Sequence, residues 1–224
     1  MSNILVSLSG GIDSTTTLAI AVKLAKETGG KVAAISFDYG QRHSKELSAA
    51  SEIAFVMGVQ DWDVIEMPHS HLSSALTDPT REIPKVSYAE IEGKSPAYVP
   101  MRNGLMAMLL AGYAESHDFD TIMMGVHAED AQGWAYADCT MEFMGPLAAA
   151  IYIASYGKVR LVTPLINMTK DEVVSVGFKL GAPLELTWSC YIGGNIHCGV
   201  CPTCRARKEA FKRANIIDAT PYAE

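Results

Sequence analysis

Near its start the chain carries an apolar run, Asn3–Leu8 (NILVSL), that gives way at once to Ser9-Gly10-Gly11-Ile12-Asp13-Ser14. Helical apolar spacing follows over Thr15–Thr28 through Leu18, Ala21, Val22 and Leu24. A short strand apolar on both faces, then a glycine turn, then a helix, is the opening unit of a parallel sheet. The turn also dictates a chemistry. At the helix start the unpaired backbone N–H groups and the positive end of the helix dipole face outward, and Gly10 and Gly11 let an anion approach the backbone closely. Phosphate is the expected ligand. No Lys follows the glycines and the loop is too short for G-x-x-x-x-G-K-[ST], while G-x-G-x-x-G is also absent, so both common nucleotide fingerprints are excluded.

Further strands are expected at Lys31–Phe37, Trp62–Met67, Asp120–Val126 and Lys158–Val162, alternating with helices at Ser44–Gly58, Asn103–His117 and Thr169–Leu180. The pattern predicts an α/β fold with a Rossmann-like, doubly wound parallel sheet. The Met-, Leu- and Ala-rich face of Asn103–His117 reads as core. Residues 68–100 are Pro-punctuated and weakly periodic, too long for an ordinary connection, and are expected to form a mobile lid. In a doubly wound sheet, ligands sit outside the carboxyl ends of the strands. The unusual residues follow strands accordingly: Ser9–Ser14, Asp38–His43, Gly125–Asp130 and Thr163–Leu165 are predicted to converge on one crevice.

The 224 residues, 49% of them hydrophobic, suffice for one cored domain. A net charge of -7 argues against broad contact with nucleic acid. No apolar run approaches a membrane span and no signal-peptide pattern stands at the N-terminus, so a cytoplasmic protein is expected. Four of the five cysteines lie at Cys190, Cys198, Cys201 and Cys204, where two C-x-x-C steps match the wrapping of one zinc ion. A closed set of four thiolates is a structural site. A redox dithiol at Cys198 and Cys201 is the alternative. His197 reads as a solvated neighbour, with replacement of one thiolate as its other role, and Cys139 as a buried apolar residue. The expected division is residues 1–185 as a nucleotide-binding domain and 186–224 as a metal-binding segment packed on it. The apolar run Ala148–Tyr156 is expected to be buried in the core or in a partner, with a homodimer as the assembly.

Taken in order, SGGIDS at 9–14, SFDYGQRH at 36–43, YVPMRN at 98–103, TPL at 163–165 with Lys170 beyond it, TWSCY at 187–191 and CGVCPTC at 198–204 resemble the 7-cyano-7-deazaguanine synthase family. SGGxDS alone resembles the pyrophosphate loop shared by ATP pyrophosphatases. The resemblance implies that ATP activates the carboxylate of 7-carboxy-7-deazaguanine as an acyl adenylate, that ammonia displaces AMP to give the amide, and that a second ATP activates the amide for dehydration to the nitrile. It also implies roles. Ser9, Gly10, Gly11, Asp13 and Ser14 hold the β- and γ-phosphates, Asp13 through Mg2+. Arg102 and Lys170 place positive charge on the phosphates. Leu8 and Phe37 line the ATP pocket, and Tyr39, Gln41, Arg42 and His43 meet the purine-like base. Asp130 and Asp138 accept hydrogen bonds from its edge.

One segment departs from the family. Where relatives carry Asp, then Ser-Gly-Tyr-Pro-Asp-Cys-Arg after the fourth strand, this chain reads Asp130-Ala-Gln-Gly-Trp-Ala-Tyr-Ala-Asp138-Cys139-Thr140, with two extra residues and neither the Pro nor the Arg. A related ATP pyrophosphatase that stops at the amide, uses another amine or modifies tRNA is the alternative reading.

Overall fold

The computed structural model describes residues 1–42, 44–68, 72–91, 93–127, 129 and 135–224. Five parallel strands, β1 (Ile4–Ser7), β2 (Val32–Asp38), β3 (Trp62–Glu66), β4 (Thr121–Met123) and β5 (Arg160–Val162), form one sheet in the order β3-β2-β1-β4-β5. The central strand pairs Val6 with Ala34 on one side and with Met123 on the other. Among the described residues six α-helices cover it: α1 (Ile12–Thr28), α2 (Lys45–Val56), α3 (Arg102–Ser116), α4 (Met141–Ala154), α5 (Lys170–Lys179) and α6 (Pro202–Arg213). The order reverses at β1, so the turn after β1 lies at the switch point where such sheets bind ligands.

The apolar runs are explained by two-sided burial. Ile4, Val6 and Leu8 face Leu18, Ala21, Ala50 and Ile53 of α1 and α2, while Leu5 and Ile122 face Met106, Leu110 and Ile151 of α3 and α4. Alternate side chains of a strand point to opposite faces, so a strand with helices on both sides must be apolar throughout. A third cluster joins Ile12 and Ala19 of α1 to Val173 and Val174 of α5 and to Ala210 and Phe211 of α6, which fastens the C-terminal segment to the sheet domain.

The described residues between 72 and 100 are not a detached flap. Of these, Ala75, Leu76, Ile83, Ala97 and Val99 are buried in the core cluster under α3, and a short 3-10 turn, Tyr88–Glu90, is closed by a Ser87–Glu90 capping box. Single apolar residues spread along irregular chain anchor it, which is why no period announced the packing. The methionine face also divides. Met106 is buried, whereas Leu105, Met108 and Leu109 are exposed. Among the described residues no helix is long and apolar enough to cross a membrane.

Candidate active site

A cavity of about 600 Å³ opens above the carboxyl ends of the strands. Its floor is the β1–α1 turn, with Ser9, Gly11, Asp13 and Ser14. Gly10 has φ +80°, and any side chain there would meet the Glu46 carbonyl at 2.4 Å, so the turn and α2 pack at a distance only glycine permits. Helix α1 begins at Gly11 without a side-chain cap. Its first N–H groups are left to whatever enters the cavity. The Ser14 hydroxyl accepts the Ser9 N–H at 3.1 Å and lies 3.0 Å from the Ser9 hydroxyl, which stiffens the turn around the open donors.

Lys170 reaches the floor from α5. A capping box, in which the Thr169 N–H donates to Glu172 at 2.8 Å, sets the start of that helix and aims Lys170 inward. The Lys170 ammonium donates to both oxygens of Asp13, at 2.6 and 2.5 Å, and lies 3.2 Å from Nε2 of buried His127. Burial acts to raise the Asp13 pKa, but Lys170 and His127 outweigh it and hold the carboxyl below its usual range. Both Asp13 oxygens are engaged by the Lys170 ammonium.

Arg102 enters at the start of α3 and donates to the Tyr39 hydroxyl at 2.9 Å, its guanidinium 5.1 Å from that ring's centre. Burial would lower its pKa, but Tyr39, Tyr191, Glu46 and Asp138 together raise it, so the positive charge is permanent. Burial likewise pushes the Tyr39 hydroxyl up to about 12, with Arg102 opposing. Leu8 and Phe37 line the wall beside the turn, and Gln41 lines it too while spending its amide on the Tyr39 N–H and the Phe37 carbonyl.

Two expected base-binding residues, Arg42 and Asp138, are engaged by protein groups. Arg42 turns away and donates to the carbonyls of Asp78, at 2.9 Å, and of Arg81, fastening the 72–91 segment. Asp138 is buried behind the wall, where one oxygen accepts the Asn103 N–H at the start of α3 at 3.1 Å, and burial raises its pKa. His43 and Asp130 lie outside the described residues.

The C-terminal segment closes the far side. Trp188 donates its N–H to the Gly10 carbonyl at 2.8 Å, and Tyr191 accepts from Tyr88 at 3.1 Å and lies 3.4 Å from the Tyr136 hydroxyl. Behind them, the ligand atoms of Cys190, Cys198, Cys201 and Cys204 lie within 4.8 Å of one another. The sulfurs accept backbone N–H bonds from Cys198, Val200 and Cys201 at 3.3–3.4 Å. Four converged, mostly buried sulfurs with backbone donors pointed at them are the donor set of a closed metal site. His197 is outside that set and is buried, not solvated. Its Nε2 accepts the Ser189 N–H at 3.0 Å and its ring lies 4.3 Å from Trp188. Burial, then Arg207, pushes its pKa down to about 4, consistent with a neutral acceptor. Cys139 is buried as expected and accepts from the Asn103 side chain at 3.3 Å.

Comparison with known proteins decides the family. The model of the queuosine biosynthesis protein QueC matches residues 3–215. The chain belongs to the QueC family. It is 39% identical to the 7-cyano-7-deazaguanine synthase of Persephonella marina, over 97% of this chain and 95% of that protein, and 41% identical to that of Ruegeria pomeroyi, over 98% and 94%. Among solved structures it resembles in fold the U34-tRNA thiolase NcsA from Methanococcus maripaludis with its [4Fe-4S] cluster (TM-score 0.56, 15% identity, 96% of this chain and 64% of that one). NMN synthetase from Francisella tularensis is similar in fold as well (TM-score 0.51, 15% identity, 96% and 78%).

Several residues of this QueC-family site escaped the sequence reading. His127 lies in the Gly125–Asp130 loop expected at the crevice, but no role was assigned to it. Trp188, Tyr88 and Tyr136 approach the cavity only through long-range packing. Glu46 had a usable signal: it sits in the first turn of a helix that starts just beyond the SFDYGQRH run.

Proposed function

We propose that this QueC-family chain converts 7-carboxy-7-deazaguanine and ammonia to 7-cyano-7-deazaguanine in the cavity above β1, using ATP for two successive activations. The observation that carries this reading is the uncapped start of α1 beneath a cavity whose lining includes the cations Lys170 and Arg102, in a chain 36–41% identical to 7-cyano-7-deazaguanine synthases. Ser9, Gly10, Gly11 and Ser14 hold the β- and γ-phosphates through backbone N–H groups and hydroxyls. Lys170, oriented by Asp13, and Arg102, oriented by Tyr39, carry positive charge prepaid in position where pyrophosphate departs. Leu8 and Phe37 flank the adenine. Tyr39 and Gln41 face the acyl substrate. Mg2+ arrives with the phosphates.

The four cysteines hold one structural Zn2+, which ties residues 186–224 to the domain of residues 1–185. Exposed Leu105, Met108 and Leu109 of α3, with Tyr152 and Ile153 of the contacting α4, form the face of a homodimer. Reduced thiols fit a cytoplasmic setting.

The test is mass spectrometry of the product formed from 7-carboxy-7-deazaguanine, ATP and ammonium, with ATP consumption measured alongside. The reading expects the nitrile, with twice as much ATP consumed as nitrile formed. Accumulation of the amide at equal consumption favours an enzyme that stops after one activation, and the departing 130–140 segment is where that difference arises. Absence of any product refutes the reading.

A further inference from the structure

Among the described residues four carboxyl groups line the cavity: Asp13, Glu46, Glu129 and Glu209. Asp13 is saturated by Lys170, Glu129 is paired with Arg213 at 2.7 Å, and Glu209 is an exposed residue of α6. Glu46 is different. It lies in the first turn of α2, the turn whose backbone abuts Gly10, so its position is fixed against the phosphate-binding floor. Among the described residues its carboxyl makes no hydrogen bond and no salt bridge. Arg102 and Tyr39 are the charged and titratable groups that act on it from the opposite walls. A carboxyl group on a rigid helix, lining a reaction cavity without a structural partner, is available for proton transfer.

We propose that Glu46 is a catalytic base of the amide-forming step: it binds the incoming nitrogen as ammonium and takes its proton. This rests on the reading given under Proposed function. At neutral pH the nitrogen source is almost wholly ammonium, which has no lone pair to attack with. Glu46 accepts one proton from it and releases that proton to solvent. The lone pair of the resulting ammonia forms the C–N bond to the acyl carbon. The C–O bond to the AMP phosphate breaks, AMP carries away that electron pair, and a second proton leaves the nitrogen to give the neutral amide. The acyl adenylate is thus consumed with no other reactant. Burial, against the opposing Arg102, raises the Glu46 pKa to about 7, which suits a group that must take up and release protons near neutrality.

The test compares two nucleophiles in purified full-length Glu46→Gln and Glu46→Asp proteins. Hydroxylamine is already unprotonated at about pH 8 and needs no base to free its lone pair. In Glu46→Gln the rate of amide formation from ammonium falls about 100-fold, while hydroxamate formation falls less than about 10-fold. Glu46→Asp, which keeps a carboxyl one methylene shorter, recovers part of the ammonium rate, and it carries the test if thermal melting finds Glu46→Gln unfolded. Equal losses with both nucleophiles, no loss in Glu46→Gln, or Glu46→Asp no better than Glu46→Gln would each overturn the assignment while leaving the acyl adenylate in place. Absence of hydroxamate from the unmodified protein would instead remove the acyl adenylate, and the role of Glu46 with it.

Discussion

Two helices of this molecule start from short glycine-containing turns, and the turns are finished in opposite ways. At the start of α1 the Ser9–Ser14 turn uses its hydroxyls to brace itself and leaves the helix N-terminus uncapped at the floor of a cavity. At the start of α6 the Cys198–Cys204 turn spends its backbone donors on sulfur, and Pro202 at the first helical position removes a donor altogether. Gly199 there has φ +82°, and a side chain on it would meet the Glu224 carbonyl at 2.0 Å. An open turn keeps its hydrogen-bonding capacity for a ligand that comes and goes; a closed one converts it into structure. The two are coupled, because Trp188, two residues before Cys190, donates to the carbonyl of Gly10.

The largest effect that can break this contrast lies at the open turn. Asp13→Asn and Ser14→Ala are each expected to lower substrate-dependent pyrophosphate release by about 1,000-fold or more, by loosening the group that orients Lys170 and the brace of the turn. Metal content should change little, and both variants should stay folded at the assay temperature, Asp13→Asn with a lower melting temperature because Lys170 loses its partner. Loss of fold or metal in these variants would mean that the open turn is structural after all.

At the closed turn, Cys201→Ser is expected to reduce bound zinc from one per chain and to cost several kcal/mol of stability, since metal binding energy is folding energy. Elemental analysis and limited proteolysis of residues 190–224 check it. Unchanged stability, or iron with acid-labile sulfide in place of zinc, would contradict the assignment.

Next comes the joint between the regions. Arg207 is 1% exposed and pairs with Asp218 at 3.1 Å while also donating to Thr187 at 2.6 Å. Asp218→Ala leaves a buried cation without its partner, and about 3 kcal/mol of stability should be lost. Denaturant unfolding measures it, and a loss within the error of the extrapolation would show the joint to be dispensable.

The smallest effect sharpens the reading of Glu46. Burial raises its pKa from 4.5 to about 7, with Arg102 opposing, so between those values the folded protein binds more protons than the unfolded chain. The contribution of Glu46 is fully present below 4.5 and is lost as the pH rises through 7. Glu46→Gln removes this dependence, so its melting temperature relative to the unmodified protein should be higher at about pH 8 than at about pH 5. A pH-independent difference would show that the carboxyl is not buried as described.

How much of this could be read in advance depended on where each signal resides. Strands buried on both faces announce themselves as apolar runs, and β1, β2 and β3 fall within a residue or two of the expected Asn3–Leu8, Lys31–Phe37 and Trp62–Met67. Strand β4 ends at Met123, not Val126, because the chain leaves the sheet there to carry His127 to Lys170. The glycine turn after β1 and the cysteine set are contiguous in sequence, so their positions were legible for that reason. Arg42 was not, since its acceptors are carbonyls more than 30 residues away. The buried acceptor role of His197 depends on the Ser189 N–H that the fold brings to it, and the placement of Glu46 depends on the packing of α2 against Gly10.

The central claim is that the bare start of α1 holds a pyrophosphate that leaves as a unit, and the nucleotide products test it most directly. Chromatography of the reaction with ATP and 7-carboxy-7-deazaguanine should find AMP and pyrophosphate in equal amounts, formed only when the acyl substrate is present. ADP and inorganic phosphate as the main products would contradict the account.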